Sequence, residues 1–188
     1  MAGPPERTRA IYRPPWRVDL TLRAGVSTPV SGGALADLVA RALPAAGAPR
    51  PASIGLILSD DAELSILNAE HMGADGPTDV LSFPLLQPDA FPPHPGRSLA
   101  ARPAAFPLPP GSRVHLGDIV ISVERAFEQA AQGRGGQTGD VAWDAADEVR
   151  LLAVHGVLHV CGWDHAAPEE AAAMRALEGR LLAGSAIE

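Results

Sequence analysis

Hydrophobic and polar positions alternate over Val18-Asp19-Leu20-Thr21-Leu22-Arg23, the period of two that a half-buried strand requires. The pattern then changes to helical spacing, with Leu35, Leu38, Val39 and Leu43 on one face, Ser31 placed to cap the first turn and Pro44 near the end. The unbroken apolar run Ile54–Leu58 reads as a buried strand. Ser59 and Asp60 follow it and can cap a helix carrying Leu64, Leu67 and Met72. A third strand is predicted over Val80–Phe83, closed by Pro84, and a fourth over Leu116–Ser122, with a helix from Val123 to Gln132 behind it. The most apolar helix is expected over residues 144–161, with Gly162 placed to end it. Pro168, with Glu169 and Glu170 behind it, opens a last helix to about Ala183, whose acidic face reads as solvated. Four strands interleaved with about five helices predict an α+β class with a small mixed four-stranded sheet.

Proline and glycine mark what lies between these elements. Residues 1–15 are rich in proline and arginine and read as a flexible tail, leaving 16–188 as one domain. Nine prolines fall within the 28 positions 84–111, too many for a helix or a central strand, so a long and disordered loop is expected there. Gly133–Gly139 reads as a flexible linker.

Composition narrows the function classes. The 188 residues hold one cysteine, Cys161, which excludes an internal disulfide and suits a reducing compartment. Neither a membrane-spanning run nor an uninterrupted signal-peptide core is present, because Arg7, Arg9, Arg13 and Arg17 break the N-terminal segment; a cytoplasmic protein is expected. All 15 basic residues are arginine. Residues 1–60 carry seven Arg against four acids (+3), and residues 61–188 eight Arg against 18 acids (−10). Such a surface binds polyanions poorly in general, so any nucleic-acid role needs a local arginine-lined face or a bound cation.

The chemistry concentrates in His155-Gly-Val-Leu-His159-Val-Cys-Gly162-Trp-Asp-His165. Residues i and i+4 share a helix face, so His155 and His159 can bind one cation, and a left-handed turn at Gly162 can bring His165 back to it. Three imidazoles on a tetrahedral metal leave a place for water, the arrangement of a catalytic zinc. The spacing matches that of the metzincin peptidases except that Gly156 stands where they carry the general-base glutamate, so peptide hydrolysis is unsupported and phosphoryl chemistry is favoured. Cys161 lies about 200° around the helix from His159 and is expected to be a small buried hydrophobe rather than a fourth ligand. Asp164 can orient a ligand from outside the metal's own shell or simply shape the turn.

Three blocks of the chain together resemble the YbeY family, metal-dependent endoribonucleases of ribosomal RNA maturation. They are Leu67-Asn68 with Gly76–Pro84, Leu116–Ser122, and the His155–His165 motif. The resemblance implies a zincin-like fold and makes His155, His159 and His165 the ligands of one Zn2+, with a metal-bound water and no protein general base. It implies rRNA or its precursor as substrate, cut at the 3′ end of the small-subunit RNA, with a part in ribosome quality control. The implied partners are the small ribosomal subunit and its assembly factors, with neither DNA nor a membrane. Single-stranded RNA is the expected form, since a duplex cannot enter a cleft. A non-catalytic assembly factor with a zinc site, or a zinc hydrolase acting on something other than RNA, are the alternatives.

One departure from the family bears on substrate binding. Where members often carry an aromatic-Arg-Gly-Lys run, this chain reads His71-Met72-Gly73-Ala74, so His71 or an N-terminal arginine is expected to supply the missing cation. Ser82 and Asp118, on strands that can border the cleft, and Arg113 and His115, before the fourth strand, are the other candidate substrate contacts. For each of these four a structural role is the competing reading.

Overall fold

The computed structural model describes residues 4–95, 112–133 and 143–184. Its sheet contains five strands, β1 (Arg7–Arg13), β2 (Trp16–Leu22), β3 (Ala52–Ser59), β4 (Val80–Pro84) and β5 (Val114–Ser122), in the order β1-β2-β3-β5-β4. β2, β3 and β5 are parallel neighbours, while β1 and β4 run antiparallel along the two edges. The helices are α1 (Gly32–Ala45), α2 (Asp61–Met72), α3 (Val123–Gln132), α4 (Ala145–Val160) and α5 (Pro168–Ala183). The α+β class read from the sequence holds.

The fifth strand corrects the expected tail. Residues 7–13 pair along their whole length with β2, from Arg7 opposite Leu22 to Arg13 opposite Trp16. Arginines at the edge of a sheet keep their charged heads in water and discourage pairing with another chain, so a charged sequence is compatible with this strand. Arg13 is also held by Asp37 of α1, and Ile11 packs against the core. Of the expected 84–111 loop, Pro84 closes β4, Pro88–Ala90 forms a 3-10 turn, and Phe91 is buried; residues 96–111 lie outside the described residues. The expected linker at 133–139 likewise falls outside them beyond Gly133.

Local capping chemistry sets the helix starts. The Ser31 hydroxyl accepts from the Ala34 amide, the Asp60 carboxylate from Glu63, and Ser122, the last residue of β5, from Arg125. At α4, Asp144 and Asp147 form a reciprocal capping box. α4 is the central helix, packed on β4 and β5 and flanked by α1, α3 and α5, and Val149, Ala153, Val154, Val157, Leu158 and Val160 of this helix are all buried. α2 lies on the opposite face of the sheet, where Leu64 meets Leu81 and Val120. Among the described residues, no helix is long and apolar enough to cross a membrane.

Alternation along β4 and β5 decides which residues look toward α4. Ile119 lies against Gly156 of α4, and its partner in the ladder is Ser82. Val120 and Leu81, one residue along each strand, belong to the α2 side. Asp118 and Phe83, again a ladder pair, share that second side.

Candidate metal centre

The three histidines converge. One donor atom from each of His155, His159 and His165 can be chosen so that all lie within 4.8 Å of one another. The His155 and His159 rings are nearly perpendicular with centroids 4.5 Å apart, and His165 stands 5.5 Å and 5.0 Å from them. α4 supplies the first two on one face. A Schellman turn supplies the third: Trp163 donates to the Leu158 carbonyl and Gly162 to that of His159, with Gly162 at φ +79°.

The second nitrogen of each helical imidazole is committed, and this fixes the tautomers. His159 Nδ1 lies 3.1 Å from the carbonyl oxygen of Trp163, which can only accept, so Nδ1 carries the hydrogen. His155 Nδ1 lies 2.8 Å from the Glu178 carboxylate and donates to it. Both Nε2 atoms therefore present lone pairs, and they face each other at 3.0 Å. Two lone pairs at that distance repel unless a positive centre lies between them. Tetrahedral zinc with bonds of ~2.0–2.1 Å places its nitrogen ligands about 3.3 Å apart, close to the spacing seen here. Burial, reinforced by the neighbouring His155 and His165, pushes the His159 pKa down to about 4, which keeps the ring neutral and able to ligate at physiological pH. The donor set fits a late transition ion.

Cys161 is not among the donors. Its side chain is fully buried in the core, and burial pushes its thiol up to about 12. Asp164 accepts from the His165 backbone amide at 2.7 Å, which shapes the turn.

Sequence reasoning missed Glu178. The helix after Pro168 is not solvated on all its acidic positions: Glu178 shares the buried face of α5 with Ala171, Met174 and Leu177. A carboxylate on an apolar stripe was the available signal. Carboxylate–imidazole pairs of this kind orient a ligand and raise its basicity. Glu178→Gln is expected to weaken metal affinity by ~10–100-fold with little change in fold, measured by chelator competition.

Two cavities flank the triad, one of about 280 Å3 toward α5 and one of about 420 Å3 toward β4 and the end of α2. Asp79, Val80, His155 and His165 line both. Asp79, Thr78 and Val80 were also missed as neighbours of the site; the Asp79 carboxylate accepts from the Val80 amide and from Gln129.

The remaining expected contacts divide by their position in the sheet. Ser82 lines the larger cavity and donates to the Gly156 carbonyl. Met72 lines it too, while His71 beside it turns its ring onto Phe83, with centroids 5.0 Å apart. Arg113 donates to the carbonyls of Pro15 and Ala52, tying the β1–β2 turn to β3. His115 contacts Ser53 and Asp118. Asp118 belongs to the sheet face opposite α4, so the structure does not bring Arg113, His115 or Asp118 to the triad. The N-terminal arginines lie along β1 and, for Arg17, on β2, across the sheet from β4, and are no substitute for the missing cation.

Fold and site together define an α+β protein with a candidate three-histidine metal centre where its central helix ends. The sequence profile of the Endoribonuclease YbeY family matches residues 30–185, and the chain belongs to that family. It is 37% identical over 142 residues to the Endoribonuclease YbeY of Symbiobacterium thermophilum, covering 76% of this chain and 77% of that one. It is 40% identical over 156 residues to that of Salinispora tropica, covering 82% and 87%. A solution structure from Thermotoga maritima aligns with a TM-score of 0.47 at 18% identity, covering 89% of this chain and 90% of that one.

Proposed function

We propose that this protein is a zinc-dependent endoribonuclease that cuts single-stranded RNA in the cytoplasm, with the precursor of the small-subunit ribosomal RNA as its substrate and the small subunit and its assembly factors as partners. The observation that carries the reading is the pair of tautomer-fixed Nε2 lone pairs facing each other at 3.0 Å beside a third histidine. Family membership supplies the reaction class, since its curated relatives carry the name endoribonuclease.

His155, His159 and His165 would hold the ion, which supplies Lewis acidity toward a phosphoryl oxygen and toward water. The protein's own part is preorganisation. Glu178 and the Trp163 carbonyl hold the Nδ1 hydrogens of two ligands and so keep their Nε2 atoms free of protons. Ser82 and Thr78 bring hydroxyls to the wall of the larger cavity, where a ribose-phosphate segment can lie. Gly156 offers no base, and its position faces Ile119 rather than the site, which weighs against a peptidase.

The test pairs metal analysis of purified protein with cleavage of a small-subunit rRNA precursor, with and without chelator. The expected result is about one zinc per chain, and cleavage abolished by chelation and restored by zinc. RNA left intact by the zinc-loaded protein would sink the proposal. The product ends identify the nucleophile, a 2′,3′-cyclic phosphate for the ribose hydroxyl and a 5′-phosphate for water.

A further inference from the structure

The smaller cavity is walled by α5, α4 and the start of β4, and it opens beside His155 and His165. Its lining is divided chemically. Val80, Leu151 and Met174 form an apolar wall, and Arg175 stands with the histidines on the polar side. Arg175 follows Ala171 by four residues and precedes Glu178 by three, so it shares the side of α5 that faces the triad. Ala171 and Glu178 are buried on that side and Arg175 is exposed.

Charge singles this residue out. Among the described residues, Arg175 is the one permanent cation that lines either cavity beside the triad. The larger cavity has Met72 and no arginine. The acidic groups of the smaller one are occupied, Glu178 by His155 and Asp79 by Gln129 and the Val80 amide. The other arginines described near helix surfaces are mostly committed, Arg23 to Glu63, Arg125 to Asp61 and Arg150 to Asp147. No ion pair or hydrogen bond engages the Arg175 guanidinium among the described residues.

We propose that this cavity is a nucleotide subsite, in which Arg175 binds the RNA phosphate next to the one at the histidine triad and the apolar wall receives an unstacked base. The inference rests on the endoribonuclease reading and adds the side from which the strand is held. Guanidinium forks match phosphate oxygens in pairs, and a base splayed out of a single strand gains from an apolar surface. The strand would then enter along α5 rather than along the Met72 segment.

The test compares the zinc-loaded parent with Arg175→Gln, Arg175→Lys and, as a control for general charge, Arg180→Gln on the same helix. Binding is read with a fluorescent single-stranded phosphorothioate oligoribonucleotide, and cleavage with its ordinary counterpart. Arg175→Gln is expected to raise Kd and KM by ~10-fold, with kcat within about threefold and zinc content and Tm unchanged. The slope of log K against log salt should fall by about 0.7, the value for one single-strand phosphate contact. Arg175→Lys should fall between, and Arg180→Gln should match the parent. An unchanged Kd and salt slope for Arg175→Gln, or an equal loss from Arg180→Gln, would overturn the inference. If the parent binds through Arg175 but leaves RNA intact, the cleavage reading fails and the subsite stands. If it cleaves while Arg175→Gln keeps the parent's KM, the reverse holds. A parent that does not bind single-stranded RNA ends both.

Discussion

His159→Ala is expected to abolish RNA cleavage, by at least ~10^3-fold, while leaving a folded chain that still binds RNA. Removing one of three nitrogen donors leaves the ion with two, and the Trp163 carbonyl loses the ring that it positions. The fold does not depend on this ring, because α4 is anchored by its apolar face against the sheet. In metal-free protein the native ring even carries a cost: it is held neutral in a partly buried site, its Nε2 lone pair directed at that of His155. The variant's metal-free stability should therefore lie within about 1 kcal/mol of the parent's. Zinc should raise the Tm of the parent and leave the variant's unchanged, because only the parent couples binding to folding. Circular dichroism, thermal scans with and without zinc, and a cleavage assay decide it. Continued cleavage would remove the triad from the chemistry, and an unfolded variant would make the metal structural.

Gly156→Glu, which restores the glutamate of the metzincin pattern, is expected to destroy the fold rather than create a peptidase. A Cβ at this position would lie 2.5 Å from Ile119 Cγ2 and 3.1 Å from two further Ile119 carbons. Cγ2 branches directly from Cβ, and a β-branched side chain is stiff at χ1, so it cannot swing aside. Gly156→Ala measures the contact alone. Overpacking of ~1–3 kcal/mol is partly offset by up to ~1 kcal/mol of helix propensity, and Tm should fall by ~2–4 °C per kcal/mol lost. Glutamate adds the burial of a carboxylate without a partner at a fully enclosed position, and the sum should exceed ~4 kcal/mol. Denaturant melts of the alanine variant and the solubility of the glutamate variant are the measurements. A soluble, folded Gly156→Glu that cuts peptides would refute this account of the glycine.

The same position shows why some of the site was legible and some was not. Histidines at i and i+4 share a face in any α-helix, and a glycine three residues later permits the left-handed turn, so the ligand trio follows from local geometry. Gly156 was equally visible as a missing base, but only its contact with Ile119 explains why glycine stands there. Glu178 arrives from another helix, 23 residues from His155, and its acidic neighbours Glu169 and Glu170 made the segment read as solvated. Arg113 directly precedes β5, and His115 and Asp118 lie within it; that strand meets α4 through Ile119 at Gly156 but lines neither cavity beside the triad. One step of strand alternation, or displacement toward the far end of β5, carries them to other surroundings.

The sequence alone determined the helical ligand spacing, the helix caps at Ser31 and Asp60, four of the strands and the α+β class, because each depends on interactions within a few residues or on the burial of a periodic face. Strand order, the pairing of Arg7–Arg13 into the sheet, the carboxylate behind His155 and the cation beside it were decided only by the tertiary structure. These depend on which distant segments pack together, and one chain's hydrophobic pattern states that a face is buried without stating against what.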